Sequence, residues 1–190
     1  MRYPSVVIEP DCLLDMVTST TEVYKRETNG YVTKKPGMRR VVLESAAPFQ
    51  TDERREDSVW HGNMAAFERV IETLREGNSD LVGGYHSHTK EGSGTMLYKA
   101  DVDFLEEELE RVNSCGFNLD RWLEIIIFAK RKKYKRKQKR EFSAFEVGDR
   151  IEIIKISPKE RFDLKLAGYW VFEENGKMRK EQVKLYPVCY

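Results

Sequence analysis

The chain has 190 residues, of which 40% are hydrophobic, and a formal net charge of +1, as expected for one globular domain with a single core. No run approaches the roughly 18 apolar residues of a membrane span. The N-terminus lacks the pattern of a signal peptide, so we expect a cytoplasmic protein without a membrane partner. The cysteines at 12, 115 and 189 show no CxxC spacing, which argues against a disulfide framework and a thiolate zinc site.

Strands and helices alternate along the sequence. In chain order, the patterns predict strand 6–8, a helix from Asp11 towards Tyr24, strands 31–33 and 39–44, a polar loop 47–57, helix 64–74, strand 80–88, a helix with its apolar stripe at 102–112, and strands 123–129, 150–156, 166–172 and 182–188. The run 123–129 is nearly continuous in apolar residues, which is typical of a central strand covered on both faces. We therefore predict a single α/β domain with a mixed sheet.

Two histidines mark the end of the predicted strand 80–88. His86 and His88 are one residue apart, and strand side chains alternate between the two faces, so both point to the same side and can share one ion. Asp101 follows at the start of the next predicted helix and supplies a carboxylate. Two nitrogens and one oxygen, with room for water, are the ligand set of a hydrolytic zinc site. The sequence thus predicts a metal-dependent enzyme.

A strongly basic segment runs from Lys130 to Arg140, in which all residues except Tyr134 and Gln138 are lysine or arginine. Such a block repels itself and does not enter a core. One interpretation is an anionic partner: RNA, DNA, a ribosome or the acidic face of a protein. The other is a solvated hairpin tip between two strands. The sequence contains no RNP, zinc-finger or helix-turn-helix signature of a dedicated nucleic-acid module.

The residues around the histidines resemble a known family. The segment Gly84-Tyr85-His86-Ser87-His88, followed by a polar loop and Asp101, resembles the JAMM motif of MPN-domain metalloproteases. The segment Glu27-Thr28-Asn29-Gly30 is similar to the early glutamate segment of that family. The resemblance covers residues 1–156 and implies an MPN-like domain, a mixed β-sheet flanked by helices. Residues 157–190 would be a C-terminal β extension of the same domain.

The resemblance also implies roles. His86, His88 and Asp101 would bind one zinc ion, with water as the fourth ligand. Glu27 would hold that water, take its proton and return it to the leaving amine. The substrate implied is a ubiquitin-like or sulfur-carrier protein, cleaved after its C-terminus. Glu22 and Glu44 are the alternative bases, and His61 is interpreted as a local hydrogen-bonding group.

Two departures from the motif concern the loop before Asp101. The stretch from Thr89 to Ala100 is two residues longer than in the motif, and Tyr98 stands where the motif has serine. In the family that serine stabilises the oxyanion, so Tyr98 is the candidate donor here, with Ser93 and Thr95 as alternatives. Loss of one such donor typically costs about 10²–10³ in rate. A second register, with Asp103 as the ligand, fits the spacing less well than Asp101.

Three functions therefore remain open. The first is a zinc metallo-isopeptidase or peptidase. The second is a catalytically weak or inactive MPN-like scaffold that binds a partner protein, which the missing serine favours. The third is a nucleic-acid-associated protein that uses residues 130–140.

Overall fold

The computed structural model describes residues 5–38, 40–50, 53–54, 59–60, 63–89 and 94–188. Its elements are β1 (Val6–Ile8), α1 (Pro10–Glu22), β2 (Asn29–Lys34), β3 (Val41–Pro48), β4 (Glu53–Arg54), β5 (Val59–Trp60), α2 (Met64–Glu76), β6 (Asp80–His88), α3 (Lys99–Ser114), β7 (Arg121–Lys133), β8 (Glu141–Val147), β9 (Arg150–Ile156), β10 (Glu160–Glu174), β11 (Lys177–Val183) and β12 (Leu185–Pro187). The predicted single α/β arrangement with a mixed sheet is confirmed.

One large sheet organises the described residues. Its strand order is β12-β1-β3-β2-β6-β7-β10-β9-β8, and β11 pairs with β10. β6 runs parallel to β7, and β1 runs parallel to β3 and β12, whereas the other pairs are antiparallel. The sheet curls, and its two ends approach each other. The amide of Leu185, at the start of β12, donates a hydrogen bond to the carbonyl of Asp149, between β8 and β9, at 3.2 Å. The sheet is therefore nearly closed.

The helices cover opposite faces of the sheet. α1 packs on one face, where Leu13 and Met16 belong to the same buried apolar cluster as Ile125 and Ile127 of β7. α2 and α3 pack on the other face, around Ile126. Since successive side chains of a strand point to opposite sides, the nearly continuous apolar run of β7 fills both cores. This is why that run was predictable as a central strand.

The basic segment is divided between a strand and a connection. β7 continues to Lys133, and residues 134–140 link it to β8, a strand that the sequence patterns did not predict. The predicted hairpin is wrong, because β10 and β9 lie between β7 and β8 in the sheet. The connection crosses the β9–β10 turn and is held there by bonds from Tyr134 N to Lys159 O and from Gln138 N to Pro158 O.

Smaller differences concern element ends. α1 begins at Pro10 with Glu9 as its N-cap, one residue before the predicted start at Asp11, because proline fits the first helical position. β3 extends through Pro48 into the stretch predicted as loop, since its antiparallel pairing with β2 reaches that residue. The segment 157–190 contributes β10, which lies between β7 and β9.

Cys12 is buried and Cys115 is half-buried, and both are free thiols. Cys189 lies outside the described residues. Among the described helices, none has the length and apolar character needed to cross a membrane.

A buried polar network joins β2 to α3. The hydroxyl of Tyr31 donates to Glu108, whose carboxylate also accepts from Nη1 of Arg111 at 3.0 Å. Glu108 is only 2% exposed. A carboxylate in an apolar core is tolerated when its hydrogen bonds are made, so this network fixes α3 above the sheet.

We predict that Glu108→Ala lowers the free energy of unfolding by about 2–3 kcal/mol, because it leaves the Tyr31 hydroxyl without its acceptor and opens a cavity. Denaturant unfolding followed by circular dichroism measures the loss. The neighbouring, exposed Glu107→Ala is the control and should change stability by less than about 0.5 kcal/mol. Equal losses for the two variants would contradict this role of the network.

Candidate metal centre

The candidate centre lies at the end of β6, which is flanked by two other strands. β2 pairs with β6 so that Asn29 is opposite His86, and β7 pairs with it so that Phe128 is opposite His88. His86 and His88 point to the α2/α3 face, as their period-2 spacing predicts. Pairing on both sides fixes the backbone that carries the histidines.

The three predicted ligands converge. His86 Nε2 and His88 Nε2 are 3.1 Å apart. Asp101 Oδ1 lies 4.0 Å from His86 Nε2, and Asp101 Oδ2 lies 3.9 Å from His88 Nε2. One potential ligand atom from each residue falls within 4.8 Å of the other two. The structure thus brings together His86, His88 and Asp101. His88 is buried, whereas His86 and Asp101 are partly buried.

These distances fit a zinc ion. Two imidazole nitrogens that share one tetrahedral zinc lie about 3.3 Å apart, close to the 3.1 Å between the two Nε2 atoms. The two carboxylate oxygens of Asp101 lie at 4.0 and 3.9 Å from the Nε2 atoms, so the carboxylate has to move inward before one oxygen reaches a comparable separation from both. The set of two nitrogens and one carboxylate is also one that zinc accepts while retaining an open position.

The other ring nitrogen of each histidine is held by the protein. His86 Nδ1 donates to Glu124 Oε1 at 2.7 Å, and His88 Nδ1 lies 3.2 Å from the carbonyl of Gly94. Bonds of this kind fix the tautomer so that Nε2 presents its lone pair to an ion. The two facing Nε2 atoms therefore repel each other unless a proton or a cation lies between them.

Glu124 is a residue that the sequence interpretation missed. It is 2% exposed and accepts a second hydrogen bond from Trp122 Nε1 at 2.7 Å. Its pairing partner on β6 is Gly84, where an added Cβ would lie 2.9 Å from the carbonyl oxygen of Gly30, 3.1 Å from the Trp122 ring and 3.3 Å from Glu124 Oε2. Glycine at this position leaves room for the carboxylate beside His86.

The protonation of the two histidines differs. Burial disfavours a charged His86, but the hydrogen bond and charge of Glu124 outweigh it and raise the pKa of His86. Burial and the charge of His86 lower the pKa of His88 to about 4. A protonated His86 can donate from Nε2 to a neutral His88, and a bound cation would take the place of that proton.

Asp101 serves α3 as well as the centre. α3 begins at Lys99 with Tyr98 as its N-cap, so Asp101 occupies the third helical position and is not the N-cap. Its Oδ2 accepts the backbone N–H of Tyr98 at 2.6 Å. The bond places the carboxylate at the helix start, where it also offsets the positive end of the helix dipole.

Tyr98 borders the centre from outside. Its ring centroid lies 5.7 Å from that of His88, and its side chain is 41% exposed. Of the alternative oxyanion donors, Ser93 lies outside the described residues and Thr95 is buried. Asp103 is exposed on α3 and does not belong to the cluster.

Glu27 is held beside the histidines by its neighbour. The amide of Thr28 donates to Ser87 Oγ at 2.9 Å, and the amide of Ser87 donates to the carbonyl of Thr28 at 2.8 Å. These two bonds extend the contact between the chain and β6 by one residue beyond Asn29, and Glu27 precedes that residue at the histidine end of β6. Glu27 is buried, and its charge contributes to raising the pKa of His86.

The alternative bases do not approach the centre in this way. Glu22 is exposed at the end of α1. Glu44 lies near Cys12, which is buried on the α1 face. Burial raises the pKa of the Cys12 thiol, and the charge of Glu44 contributes to the same shift. His61 lies outside the described residues.

Asn29 is a further buried group on the side of His86, and its Oδ1 has no hydrogen-bond partner among the described residues.

Comparisons with known proteins concern the fold. No family model matches the chain, and no curated protein matches it. The solution structure of protein DSY2949 from Desulfitobacterium hafniense is similar to this chain, with a TM-score of 0.53 and 10% identity over 96% of this chain and 94% of the other. At that identity the likeness extends to the mixed α/β fold and carries no statement about activity.

We predict that Glu124→Gln weakens zinc binding about 10–100-fold, because the amide retains the size of the carboxylate but not the charge that fixes His86. Competition with a chromophoric chelator measures the dissociation constant. Glu152→Gln, the same change on β9, should leave zinc affinity unchanged. Unaltered affinity in Glu124→Gln, with the fold intact, would show that the carboxylate does not support the centre.

Proposed function

We propose that the chain is a zinc-dependent JAMM-type metallo-isopeptidase or peptidase, built on an MPN-like domain of residues 1–156 with 157–190 as its β extension. It would hydrolyse the bond after the C-terminus of a ubiquitin-like or sulfur-carrier modifier. The observation that carries the proposal is the convergence of His86, His88 and Asp101 within 4.8 Å, with buried Glu27 beside them.

Three residues would hold the ion: His86 and His88 through Nε2, and Asp101 through its carboxylate. When bound, zinc supplies a Lewis acid that polarises the substrate carbonyl and lowers the pKa of water towards neutrality. Glu124 and the carbonyl of Gly94 orient the two rings from behind. Because these outer bonds exist before any ion arrives, the histidines need little reorganisation on binding.

Glu27 would act as the general base. Two observations support this role: Thr28, the next residue, is bonded to Ser87 between the two histidines, and the charge of Glu27 contributes to raising the pKa of His86. In this role the carboxylate accepts a proton from the attacking water and passes it to the leaving amine nitrogen as the C–N bond breaks. No covalent intermediate is needed, and the buried thiol of Cys12, with its pKa raised by burial, is not a nucleophile.

Tyr98 would donate from its phenol to the oxyanion. As the N-cap of α3 it is bound through its backbone to Asp101, so its place beside the ligand set is determined by the start of the helix.

A second candidate function, a binding scaffold with weak or no catalysis, is favoured by one observation: Tyr98 is 41% exposed, which is more open than a preorganised oxyanion donor requires.

We predict that Glu27→Gln abolishes cleavage while zinc content stays at the wild-type level, because the amide cannot accept the proton of water. The assay follows cleavage of linear and isopeptide fusions of ubiquitin-like and sulfur-carrier proteins, with zinc measured by mass spectrometry. Glu22→Gln is the matched control and should remain active. His88→Ala should lose both zinc and activity.

Full cleavage by Glu27→Gln would overturn the general-base role. Stoichiometric zinc in the wild-type protein, without cleavage of any fusion, would favour the scaffold. A wild-type protein that binds no zinc would remove the basis of both the catalytic and the metal assignments.

We predict that Tyr98→Phe lowers the cleavage rate about 10²-fold without changing zinc affinity, because only the hydroxyl is removed. Measuring kcat and KM separately tests this, since loss of a transition-state contact lowers kcat more than it raises KM. Tyr134→Phe, a tyrosine outside the centre, provides the control. An unchanged kcat in Tyr98→Phe would assign oxyanion stabilisation to another group.

A further inference from the structure

The loop that leads into α3 is bonded to the candidate centre at both of its ends. Its described residues, 94–98, belong to no helix or strand, and we call them the site loop. The carbonyl of Gly94 lies 3.2 Å from His88 Nδ1. The backbone N–H of Tyr98 donates to Asp101 Oδ2 at 2.6 Å. The site loop therefore contacts two of the three candidate ligands.

Two side chains from the C-terminal segment bind the site loop between these points. The hydroxyl of Tyr169, on β10, donates to the carbonyl of Thr95 at 2.9 Å. The ammonium group of Lys180, on β11, donates to the carbonyl of Leu97. Both donors lie in the segment 157–190, beyond the part of the chain that resembles the JAMM family. The site loop is thus connected to a part of the chain that the motif does not include.

The pairing of β10 with β11 places both donors on the side of the sheet that α3 covers. Val171 is opposite Lys180, and Tyr169 is two residues before Val171, so these three side chains point to the same side. Tyr169, Val171 and Leu97 belong to one buried apolar cluster with Val102 of α3. The start of α3 therefore rests on β10 and β11 through apolar contacts as well as through the two polar bonds.

The two carbonyls need these donors because they lie in the interior. Thr95 is 4% exposed and Leu97 is 1% exposed. A buried carbonyl has to accept a hydrogen bond, and a loop has no regular ladder that supplies one. Without Tyr169 or Lys180, an acceptor stays unsatisfied unless the loop moves. Since Asp101 follows Leu97 by only four residues, such a movement displaces the carboxylate.

We propose that Tyr169 and Lys180 are positioning residues of the candidate metal centre. They act through the site loop, which carries the carbonyl behind His88 and leads directly to Asp101. The inference rests on the proposed function for the identity of the ion, whereas the contacts of the loop do not depend on it. The C-terminal β extension is then a part of the centre and not an addition to it.

The test removes each donor by a small change in the full-length protein. Tyr169→Phe deletes only the hydroxyl. Lys180→Met deletes the ammonium group but keeps the aliphatic stem on the strand. Lys180→Arg retains a charged donor at the same position, so it should behave as the wild type does.

Two further variants are controls for a general loss of stability. Tyr24→Phe also deletes a hydroxyl that takes part in a hydrogen bond, here with the backbone N–H of Arg131, but Tyr24 packs on the α1 side of the sheet. Lys177→Met makes the lysine change on the same strand, β11. Residues 177 and 180 are three positions apart, so their side chains point to opposite sides.

Two measurements follow the loop and the ion separately. Hydrogen exchange of the Tyr98 amide, measured by NMR on metal-free protein, reports opening of the site loop, because that amide is bound to Asp101. Competition with a chromophoric chelator gives the dissociation constant for zinc.

We expect Tyr169→Phe and Lys180→Met each to speed exchange of the Tyr98 amide about fivefold, as loss of one buried hydrogen bond allows. Each should weaken zinc binding about tenfold, in the range found when an outer contact to a metal ligand is lost. Lys180→Arg, Tyr24→Phe and Lys177→Met should stay within about twofold of the wild type in both measurements.

Two results would overturn the positioning role. Faster exchange of the Tyr98 amide with unchanged zinc affinity would show that the site loop does not determine the placement of the ligands. Equal weakening of zinc binding in Tyr24→Phe or Lys177→Met would assign the effect to overall stability.

The same measurements separate this inference from the proposed function. If the wild type bound no zinc, faster exchange confined to Tyr169→Phe and Lys180→Met would leave the anchored loop standing while the metallopeptidase fails. Wild-type zinc affinity and fusion cleavage in both variants would leave the enzyme standing while the positioning role fails.

Discussion

The candidate centre depends on the pairing of β6 with a different strand on each side. β2 approaches from one side in antiparallel register and places Asn29 opposite His86, with Glu27 two residues before it in the chain. β7 lies parallel on the other side and carries Glu124. A slip of one residue in either register would turn these side chains to the opposite face. Ser87 stabilises the register between β2 and β6 directly, since its hydroxyl and its amide both form hydrogen bonds with the backbone of Thr28.

That arrangement concentrates ionisable groups where burial is costly. His88, Glu27 and Glu124 are all buried, and isolated charges in such places are strongly disfavoured. The protein offsets part of the cost through the bonds of Glu124 to His86 and Trp122. The repulsion between the lone pairs of the two facing Nε2 atoms is relieved by a shared proton or by a cation. Perturbed groups of this kind cluster at functional sites, which is the physical reason for reading the cluster as a centre rather than as packing.

Much of this arrangement was predictable where the pattern is periodic. The strand that ends in His86 and His88, the stripe of α2 and the helix after Asp101 follow from apolar spacing, and the common side of the two histidines follows from the strand period. β8 escaped prediction because its alternation is interrupted by charge and follows a basic block. Glu124 escaped because it was read as part of an apolar run. A lone acid within such a run is itself a signal, since it needs a buried partner. The partner strand of β6 on each side, by contrast, is set by long-range topology and is absent from local pattern.

The relation between Tyr98 and Asp101 shows why a departure from a motif can preserve a site. An N-cap residue and the third residue of its helix are brought together by capping geometry. In this chain the bond from Tyr98 N to Asp101 Oδ2 maintains that relation. The backbone of residue 98 therefore stays beside the ligand set whichever side chain it carries. Tyrosine in place of serine keeps the anchor but moves the hydroxyl outward by the length of a ring. Under the proposed function, the reacting carbonyl must then bind farther from the start of α3, and the longer loop before Asp101 is a change in the same direction. Under that proposal, the loop length and the side chain at position 98 would be coupled features of one site.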